Sequence, residues 1–227
     1  GPGIEYNNWS TYQLFADEPH SYSDGGNVNN ADGRYNGLLT MREALKLSRN
    51  IPAIKAFQSL KSSDILSFVK SLGLSPDMSQ GILFEPHAIG GYTGESPLTL
   101  AAAYAAFSNG GYYVEPHSFT KIVYRDTDEV YEVKTAPQKV MSEETAYMIS
   151  DMLVTTASYY TGRTTVNGVT YGLKTGTTDY DRATKKAYKL PGNATNDLWV
   201  AGITPDYSMA LWYGYEKINS KYTNKFG

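Results

Sequence analysis

Two short stretches carry residue types that can act together on a carbonyl group. In Lys174-Thr175-Gly176-Thr177 a lysine, two hydroxyls and a glycine end a run, Val166 to Leu173, that is rich in β-branched and aromatic residues. Such a run predicts a strand. Side chains alternate across a pleat, so Thr175 and Thr177 share one face. Gly176 has no side chain, which lets a substrate or another backbone come close. A fixed positive charge, hydroxyls and free backbone N–H groups suit a carboxylate and a developing oxyanion. The second stretch, Ser48-Arg49-Asn50, lies 126 residues earlier.

The elements around these stretches read from local signals. Thr40-Met41-Arg42-Glu43 is a capping box, and a short helix follows it through Leu47. Pro52 biases Ile51 toward extended geometry, which places Ser48-Arg49-Asn50 in a turn between two helices. Pro52 itself suits the first turn of the next helix, with Ile54, Phe57 and Leu60 along one side. Asp64 to Leu72 reads as a helix closed by Gly73. Ser96 and Pro97 start a helix of small residues, Leu98 to Phe107, expected to be buried. Ser142 caps a further helix that runs past Leu153. Ser118 to Arg125 and Glu129 to Val133 read as a surface hairpin. Asp197 to Ile203 and Tyr207 to Tyr215 read as a second hairpin, apolar enough for helices on both faces. Two segments look irregular: residues 1–37, rich in turn formers, and the polar stretch Asp179 to Asn196, expected to border the site as a mobile loop.

Composition narrows the classes. The chain has 227 residues, 41% hydrophobic and 19% charged, as a globular domain does. A net charge of −3, from 20 basic and 23 acidic residues, gives no electrostatic reason to expect nucleic acid as a partner. With no Cys there is neither disulfide nor thiol chemistry, which fits an extracytoplasmic protein. His20, His87 and His117 are far apart and make no metal-binding spacing, so neither metal nor cofactor is expected. No apolar run is long enough to span a membrane.

Ser48-Arg49-Asn50 followed by Lys174-Thr175-Gly176 matches, in order, two of the three motifs of penicillin-recognising serine enzymes, Ser-x-x-Lys, Ser-x-Asn and Lys-Thr-Gly. More of the chain joins them: Leu39-Thr40-Met41-Arg42-Glu43-Ala44-Leu45 running on to Ile51-Pro52-Ala53, Ile89-Gly90-Gly91, Ser96 to Gly111, and Asp197-Leu198-Trp199-Val200-Ala201-Gly202. Together these stretches closely resemble the transpeptidase domain of class A penicillin-binding proteins, over nearly the whole chain.

The resemblance implies an α/β (α+β) fold, an antiparallel sheet flanked by helices plus an all-helical part, truncated at both ends. It divides one partial transpeptidase domain, 1–227, into a mostly helical part, 38–165, and sheet strands, 166–227. It implies serine acyl transfer at the D-Ala-D-Ala end of peptidoglycan stem peptides. Ser48 then relays protons, Asn50 holds a substrate amide, and Lys174, Thr175, Gly176 and Thr177 bind the terminal carboxylate and the oxyanion. Arg49 is expected to be structural. The implied partners are stem peptides and β-lactam antibiotics, outside the cytoplasm, with a glycosyltransferase domain and a membrane anchor N-terminal to these residues. The attacking serine is expected just upstream of Gly1, because Ser67-Phe68-Val69-Lys70 and Ser118-Phe119-Thr120-Lys121 come after Ser48, in the wrong order. The alternatives are a serine β-lactamase, which needs a deacylating glutamate motif not found between Ser48 and Lys174, a non-catalytic penicillin-sensing domain of the same fold, and a carbohydrate-binding domain suggested by the 20 Tyr.

Overall fold

The structure, a computed structural model, describes residues 1–78, 81–92, 94–215 and 218. The last residues of the expected sheet region, 216–217 and 219–227, lie outside the described residues.

The centre is a three-stranded antiparallel meander. Its strands are β5 (Gly172–Asp179), β6 (Thr195–Ile203) and β7 (Ser208–Gly214), in that spatial order. Among the described residues they follow six α-helices and five short antiparallel strand pairs. The helices are α1 (Pro2–Asn7), α2 (Met41–Lys46), α3 (Asn50–Gln58), α4 (Ser62–Ser71), α5 (Pro97–Ser108) and α6 (Glu143–Thr161). The two longest strand pairs are β1 (Leu14–Asp17) with β2 (Gly37–Thr40), and β3 (Lys121–Val123) with β4 (Val130–Glu132).

Helices α5 and α6 lie on one face of the meander. Ala103, Ala106, Ile149, Met152, Leu153 and Ile203 are buried there, with Phe68, Leu72 and Ile4 closing the far side. The alanines of α5 let neighbouring backbones approach, as their size predicts, although Leu98 at its first turn is exposed. Ser150 Oγ on α6 donates to the Phe107 carbonyl at 2.6 Å and fixes the two helices against each other. A second cluster, Val28, Ile51 and Ile54, seats α3 on the N-terminal segment.

Several expectations need correction. Residues 1–37 are not simply loop: they hold α1 and β1, and Glu5 of α1 accepts from Ser142 N and Ser142 Oγ (2.8 Å), which ties it to the start of α6. Ile51 is helical, not extended, and Asn50 is the first residue of α3 rather than part of a free turn. The bias of a residue before proline is overcome because the Asn30 side chain accepts from both Asn50 N and Ile51 N. The strand expected from Val166 breaks into a two-residue ladder, Thr165–Val166 with Val169–Thr170, around Asn167-Gly168 with both φ positive; β5 begins only at Gly172. Asn-Gly is the pair that a tight two-residue hairpin demands.

Among the described residues, helices cover only one face of the meander. In β7 the side chains alternate, with Met209, Leu211 and Tyr213 exposed and Ala210 and Trp212 turned inward. The polar stretch after β5 holds a helix, α7 (Arg182–Ala187), capped by Asp181, whose side chain accepts from Thr184 N at 2.9 Å. Ser118 lies in an irregular segment ahead of β3 and opens no strand.

Candidate active site

Ser48 is placed by the end of α2. The Arg49 N–H bonds the Ala44 carbonyl and the Ser48 N–H bonds the Leu45 carbonyl, a pair of bonds that closes a helix with one residue in the left-handed region. Glycine is the usual occupant of that position; here it is Ser48, at φ 53°. A non-glycine residue there costs about 1–2 kcal/mol and persists where the surroundings over-determine it. The exposed Ser48 side chain accepts a hydrogen bond from Lys174 Nζ at 2.8 Å.

Lys174 is placed by β5. Gly172 at the start of that strand is buried, and a Cβ there would stand 2.8 Å from the Leu153 Cβ of α6. The strand therefore lies directly on the helix. Arg42 of α2 grips the same helix: it pairs with Asp151 and donates to Thr155 Oγ1 at 2.7 Å. Helix α6 is thus the common support that brings Ser48 and Lys174 together across 126 residues of sequence. Sequence reading passed over Arg42, whose partners lie 109 and 113 residues away.

The Lys174 ammonium also donates to the Thr175 carbonyl at 2.7 Å. Its two partners are neutral, and burial lowers its pKa from 10.5 to about 8. An amine with that pKa exchanges protons readily near neutral pH. Thr175 is half-buried, while Gly176 and Thr177 are exposed. Strand β5 pairs with β6 on one side only, so among the described residues its other edge is free for an added strand. Gly176 sits opposite Trp199, and a Cβ on it would come within 3.3 Å of the Trp199 Cβ.

Asn50 lies beside Ser48, but its amide nitrogen donates to the Asn29 carbonyl at 2.9 Å. Arg49 points the other way, into the fold, as a structural residue does. It is buried, with Nε on Asp17 Oδ2 at 2.8 Å, one terminal nitrogen on Asp32 Oδ2 at 2.9 Å and the other on the Arg34 carbonyl. The structure thus brings Ser48 and Lys174 into direct contact, with Asn50, Thr175, Gly176 and Thr177 flanking them along the chain. Ser67 and Ser118 are both exposed, and neither is a hydrogen-bond partner of Lys174. Among the described residues no cluster of His, Asp and Glu fits a metal ion, and no helix is long and apolar enough to cross a membrane.

Comparison with known proteins bears on this geometry. The family model described as "Penicillin binding protein transpeptidase domain" matches residues 1–226. The chain is 40% identical to penicillin-binding protein 1A/1B of Bacillus subtilis over 94% of its own length and 24% of that protein. It spans about a quarter of the length of that relative. Among solved structures, the penicillin-binding protein PonA1 of Mycobacterium tuberculosis superposes with a TM-score of 0.79 at 21% identity, over 94% of this chain and 56% of that one. The same protein in complex with penicillin V gives 0.75 at 20% identity, over 94% and 57%.

Proposed function

We propose, because this chain belongs to the transpeptidase family of penicillin-binding proteins, that it forms part of a peptidoglycan D,D-transpeptidase acting by serine acyl transfer. The observation that carries this is the 2.8 Å contact between Lys174 Nζ and Ser48 Oγ, beside a strand edge that no other described strand pairs.

The reaction runs in two balanced halves. A serine oxygen attacks the carbonyl carbon of the penultimate D-Ala of a stem peptide and loses its proton to a base. The C–N bond then breaks, and D-Ala leaves with a proton on its nitrogen. The amine of a second stem attacks the resulting ester, forms the cross-link and returns the proton to the serine. That nucleophile is a serine outside these 227 residues, since neither in-sequence Ser-x-x-Lys match contacts Lys174. Ser48 relays protons between that base, Lys174 and the departing nitrogen, so the proton the base took from the serine replaces the one handed on; its hydroxyl accepts from the ammonium and can donate onward. Lys174, Thr175 and Thr177 hold the terminal carboxylate, and the Thr177 N–H supplies one of two oxyanion donors. Asn50 holds a substrate amide. Residues 38–165 furnish the serine relay and residues 166–227 the strand along which the stem lies. β-Lactams acylate the same serine in place of the stem. The family reading places this site outside the cytoplasm, joined to an anchor and a glycosyltransferase domain N-terminal to these residues.

The decisive experiment is Lys174→Ala in the full-length protein. Stem-peptide cross-linking and acylation by a fluorescent penicillin should both fall by about two to three orders of magnitude, while glycosyl transfer is unchanged. Near-normal cross-linking would show that another residue holds this role. A polypeptide of residues 1–227 alone should form no stoichiometric penicillin adduct. Peptide mapping that found one on Ser48, Ser67 or Ser118 would overturn the nucleophile assignment.

A further inference from the structure

Asp17 closes β1 in a place where a carboxylate is out of character. It is fully buried, yet it lies 32 residues from Arg49 and belongs to none of the family motifs. Two of its three side-chain bonds lead to the segment around Ser48. Oδ2 accepts from Arg49 Nε at 2.8 Å and from Asn36 N at 3.1 Å. Oδ1 accepts from Asn30 Nδ2 at 2.6 Å, and Asn30 Oδ1 in turn accepts from Asn50 N at 3.0 Å and Ile51 N at 3.3 Å.

Ser48 is held from its N-terminal side by the two bonds that close α2. On its C-terminal side the residues that follow, Arg49 and Asn50, are held through Arg49's side chain and Asn30's. One carboxylate commands both. A left-handed serine relaxes unless it is clamped from both sides. The planar guanidinium makes three separate bonds here, a fork that a lysine cannot reproduce.

We propose that Asp17, through Arg49 and Asn30, is a positioning residue that sets where the Ser48 hydroxyl sits against Lys174 and so the rate of acyl transfer. The inference rests on the acyl-transfer reading above. Asp17 touches no substrate and exchanges no proton in the reaction. It decides whether the Ser48 oxygen is within hydrogen-bonding reach of the amine, a requirement that a displacement of about 1 Å already compromises.

The test uses the full-length protein and a labelled penicillin, and reads two quantities separately: the fraction of chains acylated at saturation and the acylation rate constant per acylated chain. Asp17→Asn should leave the saturating fraction near that of the parent protein and lower the rate constant ten- to a hundredfold. In a Ser48→Ala background the same substitution should bring no further loss, because the oxygen it positions is gone. Arg49→Lys, which keeps the charge but loses the fork, should give the same pair of results and serves if Asp17→Asn does not fold. A lowered fraction with an unchanged rate constant would mean that Asp17 only holds the fold together, and would overturn the proposal. Losses that multiply in the double variant would overturn it too. Failure of the acyl-transfer reading looks different: the parent protein would take up no label.

Discussion

At the scale of single residues the site turns on one amine. Lys174 holds its proton to about pH 8 in the folded chain and to 10.5 when unperturbed, because burial disfavours its charge. Between those values the unfolded state binds more protons, so stability rises with pH through that window; below about 8 both states are charged and the cost of burying the charge is fully present. Because the relay through Ser48 starts from the ammonium, the acylation rate constant of the full-length protein should hold level below about pH 8 and fall as pH rises through it, and Lys174→Arg should remove that fall. A rate constant that is flat from pH 6 to 9 would speak against it. The pairing of Ser48 with Lys174 was legible in the sequence, because motif order and type survive without knowledge of distance. The left-handed backbone at Ser48 was not: serine rarely adopts it, and no neighbouring residue type announces it. The bonds of Asp17 and Asn30 were equally hidden, since a contact between residues 32 apart leaves no local pattern.

At the scale of elements the position of Lys174 depends on how closely β5 lies on α6. Gly172 permits that approach: a Cβ there would stand 2.8 Å from the Leu153 Cβ and 3.1 Å from the Val154 nitrogen, closer than van der Waals contact allows. Gly172→Ala should therefore lift the strand from the helix. We expect a stability loss of about 1–3 kcal/mol, as for overpacking in a dense core, measured by chemical denaturation. Activity should fall further than the loss of folded protein explains, because Lys174 moves with its strand. Wild-type stability would show that the packing yields without cost. The capped helices were readable because Thr40, Ser96 and Ser142 carry side chains that satisfy the first-turn amides, and each does so here. Helix α7 escaped notice because its run of Arg and Lys residues has no apolar stripe to betray a helical period. The Asn167-Gly168 hairpin was available in the sequence and was absorbed into an overlong strand.

At the scale of the whole molecule the described residues coat the meander on one side. Leu198, Met209, Leu211 and Tyr213 form an apolar patch on the other, next to edges of β5 and β7 that no other described strand pairs. Such a surface favours self-association. A polypeptide of residues 1–227 should sediment with concentration-dependent mass, and Leu211→Lys should shift it toward monomer without lowering its melting temperature; a monomeric parent would refute this. Continuous apolarity of the two strands had suggested two covered faces, but the pattern of a strand records what it can bury, not what is at hand to bury it. The distance in sequence between Ser48 and Lys174 also sets a clock. Helices and the β6–β7 hairpin join residues near one another and form fast, whereas a contact between residues 126 apart must wait for the loop between them to close. On refolding of the full-length protein, recovery of far-ultraviolet ellipticity should therefore run ahead of recovery of penicillin acylation. The contact between Ser48 and Lys174 is on this ordering among the last to form, and for a nascent chain that interval is one in which it looks folded while the two residues are still apart.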